Sequence, residues 1–577
     1  MDQAAPIIAR FGGVRPMARI LSEQTGRRVP PTTVQGWVQR GLIPAARQAD
    51  VLAAAKARGI ALDPEDFFAP EPGTGGAAQP DGPGPELLSV AEMGRADALT
   101  IEAGTPGATL MEAAGAGAVE LIRARFAPGI AAILCGPGNN GGDGFVIARL
   151  LAEAGWTVRL GLLGDAAKLP NDAALNARRW REAGGEIVPL SPDLIAGAGL
   201  IVDALFGAGL ARPLEGAARA AIEAAAASTL PIVAIDMPSG IHGDSGAVLG
   251  AAAPAALTVT FFRKKPGHLL LPGKVLAGEV RVVDIGIPAR VLKTIRPKTF
   301  ENGPRLWADA FPWPGADAHK YSRGHLVVGG GAEMTGAARL AARAALRIGA
   351  GLVTIATRPE AVAAYATYMP AVLTAALRRA GDFAAYLDDP RRRAALLGPG
   401  YGVDQKTHRH VLTALALGKL VCLDADALTV FRGRAGELYA AIAANAGAGG
   451  GAVLTPHEGE FARLFPDLTT GSKLDRAREA AVRSGAVVLI KGPDTVIAAP
   501  DGRAVINANA PPDLATGGSG DVLAGLVAGL LVQQVAPFES AAIAAWIHGR
   551  AAADFGPGLI ADDLPDAVPG VLRHLKG

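Results

Sequence analysis

The chain reads as an α/β protein built twice over, preceded by a small all-α segment. Three observations predict this. Short apolar runs of strand length alternate with helical stretches through most of the sequence. Two glycine-rich turns open helices: Gly136-Pro137-Gly138-Asn139-Asn140-Gly141-Gly142-Asp143-Gly144, and Ala515-Thr516-Gly517-Gly518-Ser519-Gly520-Asp521. Pro/Gly-rich stretches then interrupt the pattern. Residues Pro70 to Pro85 cannot bury a core and read as a linker, and Arg296 to Ala318 marks a second boundary. The units are therefore 1–70, a linker 71–85, 86–298 and 299–577.

In the first unit, Met17 to Gln24 and Thr32 to Arg40 read as two helices joined by a short turn. The segment Pro31-Thr32-Thr33-Val34-Gln35-Gly36-Trp37 resembles the recognition-helix start of Cro-like helix-turn-helix domains. Nine basic residues against six acidic ones leave an excess of three. That balance permits DNA binding without demanding it. A small helical domain for protein contacts is the alternative.

In the second unit, Ser89-Val90-Ala91-Glu92 is a capping-box pattern opening a helix. Strands are expected at Ala131 to Leu134, Trp156 to Leu163, Leu200 to Asp203 and Ile232 to Asp236, with a helix at Gly144 to Gly155. The third unit repeats this grammar, with strands at His325 to Val328, Leu352 to Ala356, Val421 to Asp424 and Val487 to Lys491. Val522 to Val535 reads as a core helix. Cys135 and Cys422 sit in apolar runs and read as buried strand residues, with no disulfide framework.

A formal charge of +2 argues against a general nucleic-acid or membrane partner. No apolar segment reaches the roughly 18–20 residues of a membrane span. No signal-peptide pattern opens the chain, so a cytoplasmic protein is expected.

The chemistry gathers at strand ends. Gly136 to Gly144 is a phosphate cradle with added carbonyl and carboxylate oxygens. Downstream, Asp203-Ala204-Leu205-Phe206-Gly207-Ala208-Gly209-Leu210 and Asp236-Met237-Pro238-Ser239-Gly240 each follow a strand. Ligands bind outside the carboxyl ends of strands in open α/β sheets, so Asn140, Asp203, Asp236 and Ser239 can converge there. Hard oxygens of this kind suit K⁺ or Mg²⁺.

These motifs resemble the NAD(P)H-hydrate epimerase family over essentially all of 86–298. Leu110-Met111-Glu112-Ala113-Ala114-Gly115, Lys265-Pro266-Gly267 and Asp284-Ile285-Gly286-Ile287-Pro288 belong to the match. The resemblance implies a Rossmann-like three-layer fold that interconverts the R and S epimers of NAD(P)HX, the hydrated nicotinamide cofactor. It implies that Asn139, Asn140, Gly141, Gly142 and Asp143, with Gly207, Ala208, Gly209, Leu210, Ala211, Arg212 and Pro213, hold the substrate. Asn140, Asp203 and Ser239 would ligate K⁺. Asp236 would contact the substrate and serve as acid or base, because inversion at C6 needs a proton handler.

At the other end, a carboxylate beside an anion site would repel phosphate unless it takes a proton from a hydroxyl. Asp521 therefore points to phosphoryl transfer involving an alcohol. Its setting resembles the ribokinase-like fold. Around it, in order, stand His319-Lys320-Tyr321-Ser322-Arg323-Gly324-His325, Gly398-Pro399-Gly400-Tyr401-Gly402, Asp424-Ala425-Asp426-Ala427-Leu428, Thr455-Pro456-His457-Glu458-Gly459-Glu460-Phe461 and Lys491-Gly492-Pro493-Asp494-Thr495-Val496. This set resembles the ADP-dependent NAD(P)H-hydrate dehydratase family over nearly all of 310–575. The resemblance implies removal of water from S-NAD(P)HX with ADP, releasing AMP and phosphate. It implies that Ala337, Gly402, His457 and Asp521 touch substrate. Lys491, Gly492, Pro493, Asp494 and Thr495, with Thr516, Gly517, Gly518, Ser519 and Gly520, would hold ADP with its Mg²⁺. Where many members read Gly-Asn-x-Gly-Met, this chain has Ala508-Asn509-Ala510-Pro511-Pro512.

The expected partners are thus NADHX, NADPHX and ADP, in a homo-oligomer. Two rival readings are a small-molecule kinase fused to a nucleotide-binding domain, and a regulator sensing damaged cofactor through the N-terminal unit. The intact Asp236 and Asp521 speak against the second.

Overall fold

Strand β1, Ile130–Cys135, shows how the first sheet is built. Its residues alternate: Ala131, Ile133 and Cys135 join one buried cluster, while Ala132 and Leu134 join another. A strand apolar on both faces can be satisfied only between two helical layers. The computed structural model, which describes residues 7–8, 10–26, 29–40, 43–58, 60, 62 and 84–576, has that sandwich. Its seven strands are β1, β2 (Thr157–Leu162), β3 (Val188–Pro189), β4 (Leu200–Ala204), β5 (Ile232–Ile235), β6 (Leu257–Phe261) and β7 (Glu279–Val283). They run in the order β3-β2-β1-β4-β5-β6-β7, every pair parallel. The order reverses between β1 and β4, which makes that crevice the natural ligand site.

The helix after β1 spans Asn139–Glu153 and so begins at Asn139 rather than Gly144. A glycine-rich segment is a poor helix former, so periodicity alone misses this first turn. Packing supplies the compensation. A Cβ at Gly144 would lie 2.6 Å from Cys135 Sγ and 2.9 Å from Ala204 Cβ. Only glycine lets the helix dock this closely on β1 and β4.

The second sheet has ten strands: β8 (Thr299–Glu301), β9 (His325–Gly329), β10 (Leu352–Thr357), β11 (Leu373–Ala376), β12 (Ala394–Leu397), β13 (Leu420–Leu423), β14 (Gly451–Leu454), β15 (Val487–Ile490), β16 (Val496–Ala498) and β17 (Ala504–Ile506). Their order is β11-β10-β9-β12-β13-β14-β15-β16-β17-β8. The β15-β16-β17 meander is antiparallel, whereas the core from β11 to β15 is parallel. The reversal follows from chain length, since the short turns after β15 and β16 leave no room for a crossover helix. The apolar helix spans Ser519–Leu531, with ten consecutive buried residues from Val522 to Leu531. It packs against helix Thr335–Arg347 beneath β12 and β13. Cys135 and Cys422 are free thiols buried in β1 and β13.

The two sheets share one compact unit, Asp81–Gly577. Leu87, Leu269 and Leu270 come from the first sheet's part of the chain but are buried in the core of the second. Leu271 N–H donates to Asp494 (3.0 Å) and Lys274 Nζ to the Pro493 carbonyl (2.7 Å). Lys264 pairs with Glu301 at 2.8 Å.

Met1–Pro80 forms a separate unit with helices Val14–Thr25, Pro31–Arg40 and Ala45–Ala57. Ile7, Phe11, Met17, Leu21, Val34, Trp37 and Val51 make its core. Residues 70–83 of the expected linker lie outside the described residues. Among the described residues, no helix is long and apolar enough to cross a membrane.

Candidate active sites

The first site opens at the β1/β4 crevice as a cleft of about 790 Å³. The sequence-predicted residues Asn139, Asn140, Asp143, Gly207 to Arg212 and Asp236 all line it. Gly138 caps helix Asn139–Glu153, so the free N–H groups of its first turn face the cleft and favour an anionic ligand. Gly141 and Gly142 are buried beneath this turn and shape it rather than face the cleft. Pro213, likewise, is not among the lining residues.

Asp236 follows β5 in a left-handed conformation, φ 64°. Such a backbone in a non-glycine residue stores strain and persists only where its surroundings hold it. Here they do. Oδ1 accepts from Lys265 Nζ (2.5 Å) and Thr260 Oγ1 (3.0 Å), and Oδ2 accepts from the Ala208 N–H (2.8 Å). His268 Nδ1 accepts from the Lys265 N–H (2.9 Å), which leaves the ring proton on Nε2 to donate to the Asp236 carbonyl (2.8 Å). Burial, the positive Lys265 and other neighbours hold His268 down at about 4, so the ring is neutral at pH 7. Burial pushes the Asp236 carboxyl up, but Lys265 and the Ala208 N–H outweigh it and hold it at about 2. Asp236 is therefore ionised at neutral pH.

Three further carboxyls, Asp97, Asp143 and Asp172, line the cleft. Burial, with Asp236 and Asp97 nearby, pushes Asp143 well above the usual range. Asp97 is pushed up to about 6, chiefly by burial, with Lys265 pulling it down and Asp236 pushing it up.

Behind the cleft, Asp203 and Ser239 are buried together. Ser239 Oγ donates to Asp203 Oδ1 (2.6 Å), and its N–H donates to Oδ2 (2.8 Å). The Phe206 N–H donates to Ser239 Oγ at 2.9 Å. Asn140 joins them at Gly207, where its amide, turned to satisfy both ends, donates to the Ile235 carbonyl (3.1 Å) and accepts from the Gly207 N–H (3.3 Å). Burial raises the Asp203 carboxyl against its hydrogen bonds, and among the described residues no cationic side chain pairs with it. A buried carboxylate ringed by neutral oxygens fits a monovalent cation, which would supply the missing positive charge.

The second site lies at the ends of β12, β13, β14 and β15. Asp521 falls in the first turn of helix Ser519–Leu531, rather than ahead of it, with Gly518 as the cap at φ 92°. A Cβ at Gly518 would also meet Leu340 Cδ1 at 2.8 Å. Lys491, just past β15, donates from Nζ to Asp424 Oδ1 at 2.7 Å. That ammonium lies 3.5 Å from where a Cβ on Gly520 would sit, so it stands at the helix N-terminus. Burial works against its charge, but Asp424 and Glu460 outweigh burial and keep Lys491 protonated. Asp521 is pushed up to about 6, first by burial and then by Asp424, with Lys491 opposing.

The other predicted residues take different parts. His457 is exposed, and its Nδ1 caps helix Glu458–Leu464 by accepting from the Gly459 N–H (2.9 Å). Gly402 N–H donates to Asp426 Oδ2 (2.8 Å), and Ala337 lies 3.3 Å from the Cβ position of neighbouring Gly400. Asp494 is buried in an ion pair with Lys473 (2.8 Å), and Thr495 Oγ1 donates to the Gly492 carbonyl (2.7 Å). Their side chains thus brace the 491–495 loop. Ser519 Oγ donates to the Leu514 carbonyl (2.9 Å), bracing the loop ahead of the helix, on which Thr516 and Gly517 lie.

Sequence reasoning missed Asp97 as a site residue, along with Lys265, Asp424 and Glu460 as members of the charged networks. Lys265, Asp424 and Glu460 stand inside quoted motifs, and a strand end was the available signal for Asp424. Asp97 sits mid-helix with no motif to mark it.

Two carboxylate-bearing sites, each beside a helix N-terminus at the end of a parallel sheet, define a two-site α/β enzyme acting on anionic ligands. The NAD(P)H-hydrate dehydratase family profile matches residues 325–566, and that of the YjeF-related protein N-terminus matches 107–267. A bifunctional NAD(P)H-hydrate repair enzyme of Salinibacter ruber is 37% identical over 545 residues, covering 85% of this chain and 97% of the relative. Its counterpart in Moorella thermoacetica is 37% identical over 528 residues, with the same coverage. The Escherichia coli enzyme is 35% identical over 448 residues, 75% of this chain and 83% of the relative. A solved ADP/ATP-dependent NAD(P)H-hydrate dehydratase from Bacillus subtilis is 27% identical, covers 47% of this chain and 97% of its own, and has a TM-score of 0.41. The chain belongs to the family of bifunctional NAD(P)H-hydrate repair enzymes. It is an isomerase and a lyase in one polypeptide.

Proposed function

We propose that residues 86–298 interconvert the R and S epimers of NADHX and NADPHX, and that residues 299–577 dehydrate the S epimer. ADP is the co-substrate, accompanied by Mg²⁺, and AMP and phosphate are released. Residues 1–70 are a separate helical unit reached through the 71–85 linker.

The observation that carries the reading is Asp521, a carboxyl poised near neutrality in the first turn of a helix whose N-terminus also holds Lys491. Hydroxide leaves carbon poorly and a phosphate ester leaves well. Asp521 takes the proton from the C6 hydroxyl, whose oxygen attacks the terminal phosphorus of ADP. The loop Gly517 to Gly520 and Lys491 stabilise the transferring phosphoryl group. The C6–O bond then breaks, its electron pair leaving with phosphate. C5 loses a proton, and the ring double bond is restored. Gly402 and Ala337 lie on the substrate side, and the 491–495 loop lies on the nucleotide side.

In the first half, Asn139, Asn140 and Asp143 at the helix start and the loop Gly207 to Arg212 hold the substrate, with Asp236 as the catalytic carboxylate. K⁺ held by Asn140, Asp203 and Ser239 would neutralise the buried Asp203 and fix the Phe206–Gly207 turn. Exchanging K⁺ for Na⁺ should lower epimerase activity and leave dehydration of S-NADHX intact; equal activity in both salts would remove K⁺ from the reading.

The deciding experiment supplies R- and S-NADHX with ADP or with ATP and follows NADH. Both epimers should be converted, and ADP should be preferred. Failure to regenerate NADH from S-NADHX would favour the small-molecule kinase instead.

A further inference from the structure

Asp236 leaves one need of epimerisation unmet. Held at about 2, it cannot give up a proton at neutral pH, yet the C6 hydroxyl needs one to leave as water. Resting on the functional reading above, we propose that Asp97 is a second catalytic residue of the epimerase site, the acid that protonates the departing C6 hydroxyl.

Geometry places it there. Asp97 lies on helix Val90–Glu102, and its residue lines the same cleft as Asp236, Lys265 and Asn140. The helix is fixed at its start. Ser89 and Glu92 form a reciprocal capping box, and the Val90 N–H donates to Asp244 Oδ1 at 2.8 Å. Ala96 and Thr100 are buried on its inner face, which presents the neighbouring Asp97 at the edge of the cleft. Among the described residues, the Asp97 carboxyl has no hydrogen-bonding partner, unlike Asp236. The remaining charged groups lining the cleft are Asp143, Asp172, Arg212, Asp236 and Lys265. Burial raises the Asp97 midpoint to about 6, so a minor share of the carboxyl, about a tenth, stays protonated at pH 7.

The step balances. Asp97 gives its proton to the C6 hydroxyl, and the C6–O pair departs with water. The N1 lone pair forms the N1=C6 iminium beside the Asp236 carboxylate. Water then adds to the other face, and its oxonium proton, more acidic than any carboxylic acid, goes to Asp236. It returns to Asp97 through water in the cleft, leaving the enzyme unchanged.

The test follows R-to-S conversion in the full chain without ADP, with dehydration of S-NADHX assayed separately. Asp97→Asn should lower the epimerase kcat about 100-fold or more, leave KM within about threefold, and leave dehydration unchanged. Wild-type epimerisation should slow as pH rises through about 6, as the acid form is lost, and this limb should vanish in Asp97→Asn. Asp97→Glu should regain part of the rate with a displaced limb. A kcat kept within about threefold in Asp97→Asn, or a limb unmoved in both variants, overturns the proposal. If Asp97→Asn melts early, the Asp97→Glu limb alone decides it. Wild type that interconverts the epimers no faster than buffer would sink the functional reading itself.

Discussion

Asp521 sits where function and stability pull apart. Its folded carboxyl stands at about 6, above the ordinary 3.8, so the folded state holds this proton more tightly than the unfolded chain. Stability from this group is complete below about 3.8 and is lost as pH rises through about 6. The same rise ionises the proposed base. Dehydration should therefore slow as pH falls below about 6, while Asp521→Asn should lower kcat by about 10² or more. At pH 8 that variant should melt higher than wild type, gaining up to about 3 kcal/mol, because the buried charge is gone; a lower melting temperature would show that Asp521 is not electrostatically strained. The opposite sign holds at the first site. Asp236, held at about 2, contributes stability above about 3.8 that is lost as pH falls towards 2. Lys265→Met should strand that carboxylate, costing about 3 kcal/mol in thermal unfolding and abolishing epimerisation. Retained activity would show that the ion pair is dispensable.

Helix Asn139–Glu153 illustrates how an element serves a site through its packing. Its glycines weaken it as a helix, yet they let it approach β1 and β4 closely enough to aim its N-terminus into the cleft. Gly144→Val should push the helix outward, costing about 1–3 kcal/mol and raising the epimerase KM, with dehydration of S-NADHX unaffected. An unchanged KM would mean that the helix position is not what binds substrate. Reading elements from sequence worked best where apolar pattern and glycine punctuation agree. β4, β5, β9 and β10 fall within a residue or so of expectation, and the capping box at Ser89 is present as read. It worked least well where glycine-rich segments turn helical, at Asn139 and Ser519, and in the β15-β16-β17 meander. Local propensity there is overruled by contacts far along the chain.

At the largest scale, the two enzymes share one hydrophobic interior. Leu270 belongs to the turn that follows Lys265 and His268, yet it is buried in the core of the second sheet. Leu270→Ala should cost about 2–5 kcal/mol and destabilise both activities together on heating. Loss of epimerase alone would show that the halves unfold independently. The same turn meets Asp494 on the 491–495 loop, so its backbone joins the two halves.

The α/β alternation, the two glycine turns, and the carboxylates Asp203 and Asp236 at strand ends were legible in sequence, because each is a local consequence of periodicity or of residue type. Asp236, Ser239, Lys491 and Asp521 could be named for that reason. The state of each carboxyl could not, since it depends on what stands across the fold. Lys265 makes Asp236 an anion at neutral pH, burial brings Asp521 near neutrality, and a mid-helix position that no motif marks carries Asp97 into the cleft. Those outcomes turn on distances of a few ångströms between residues far apart in the chain, which only the folded chain sets.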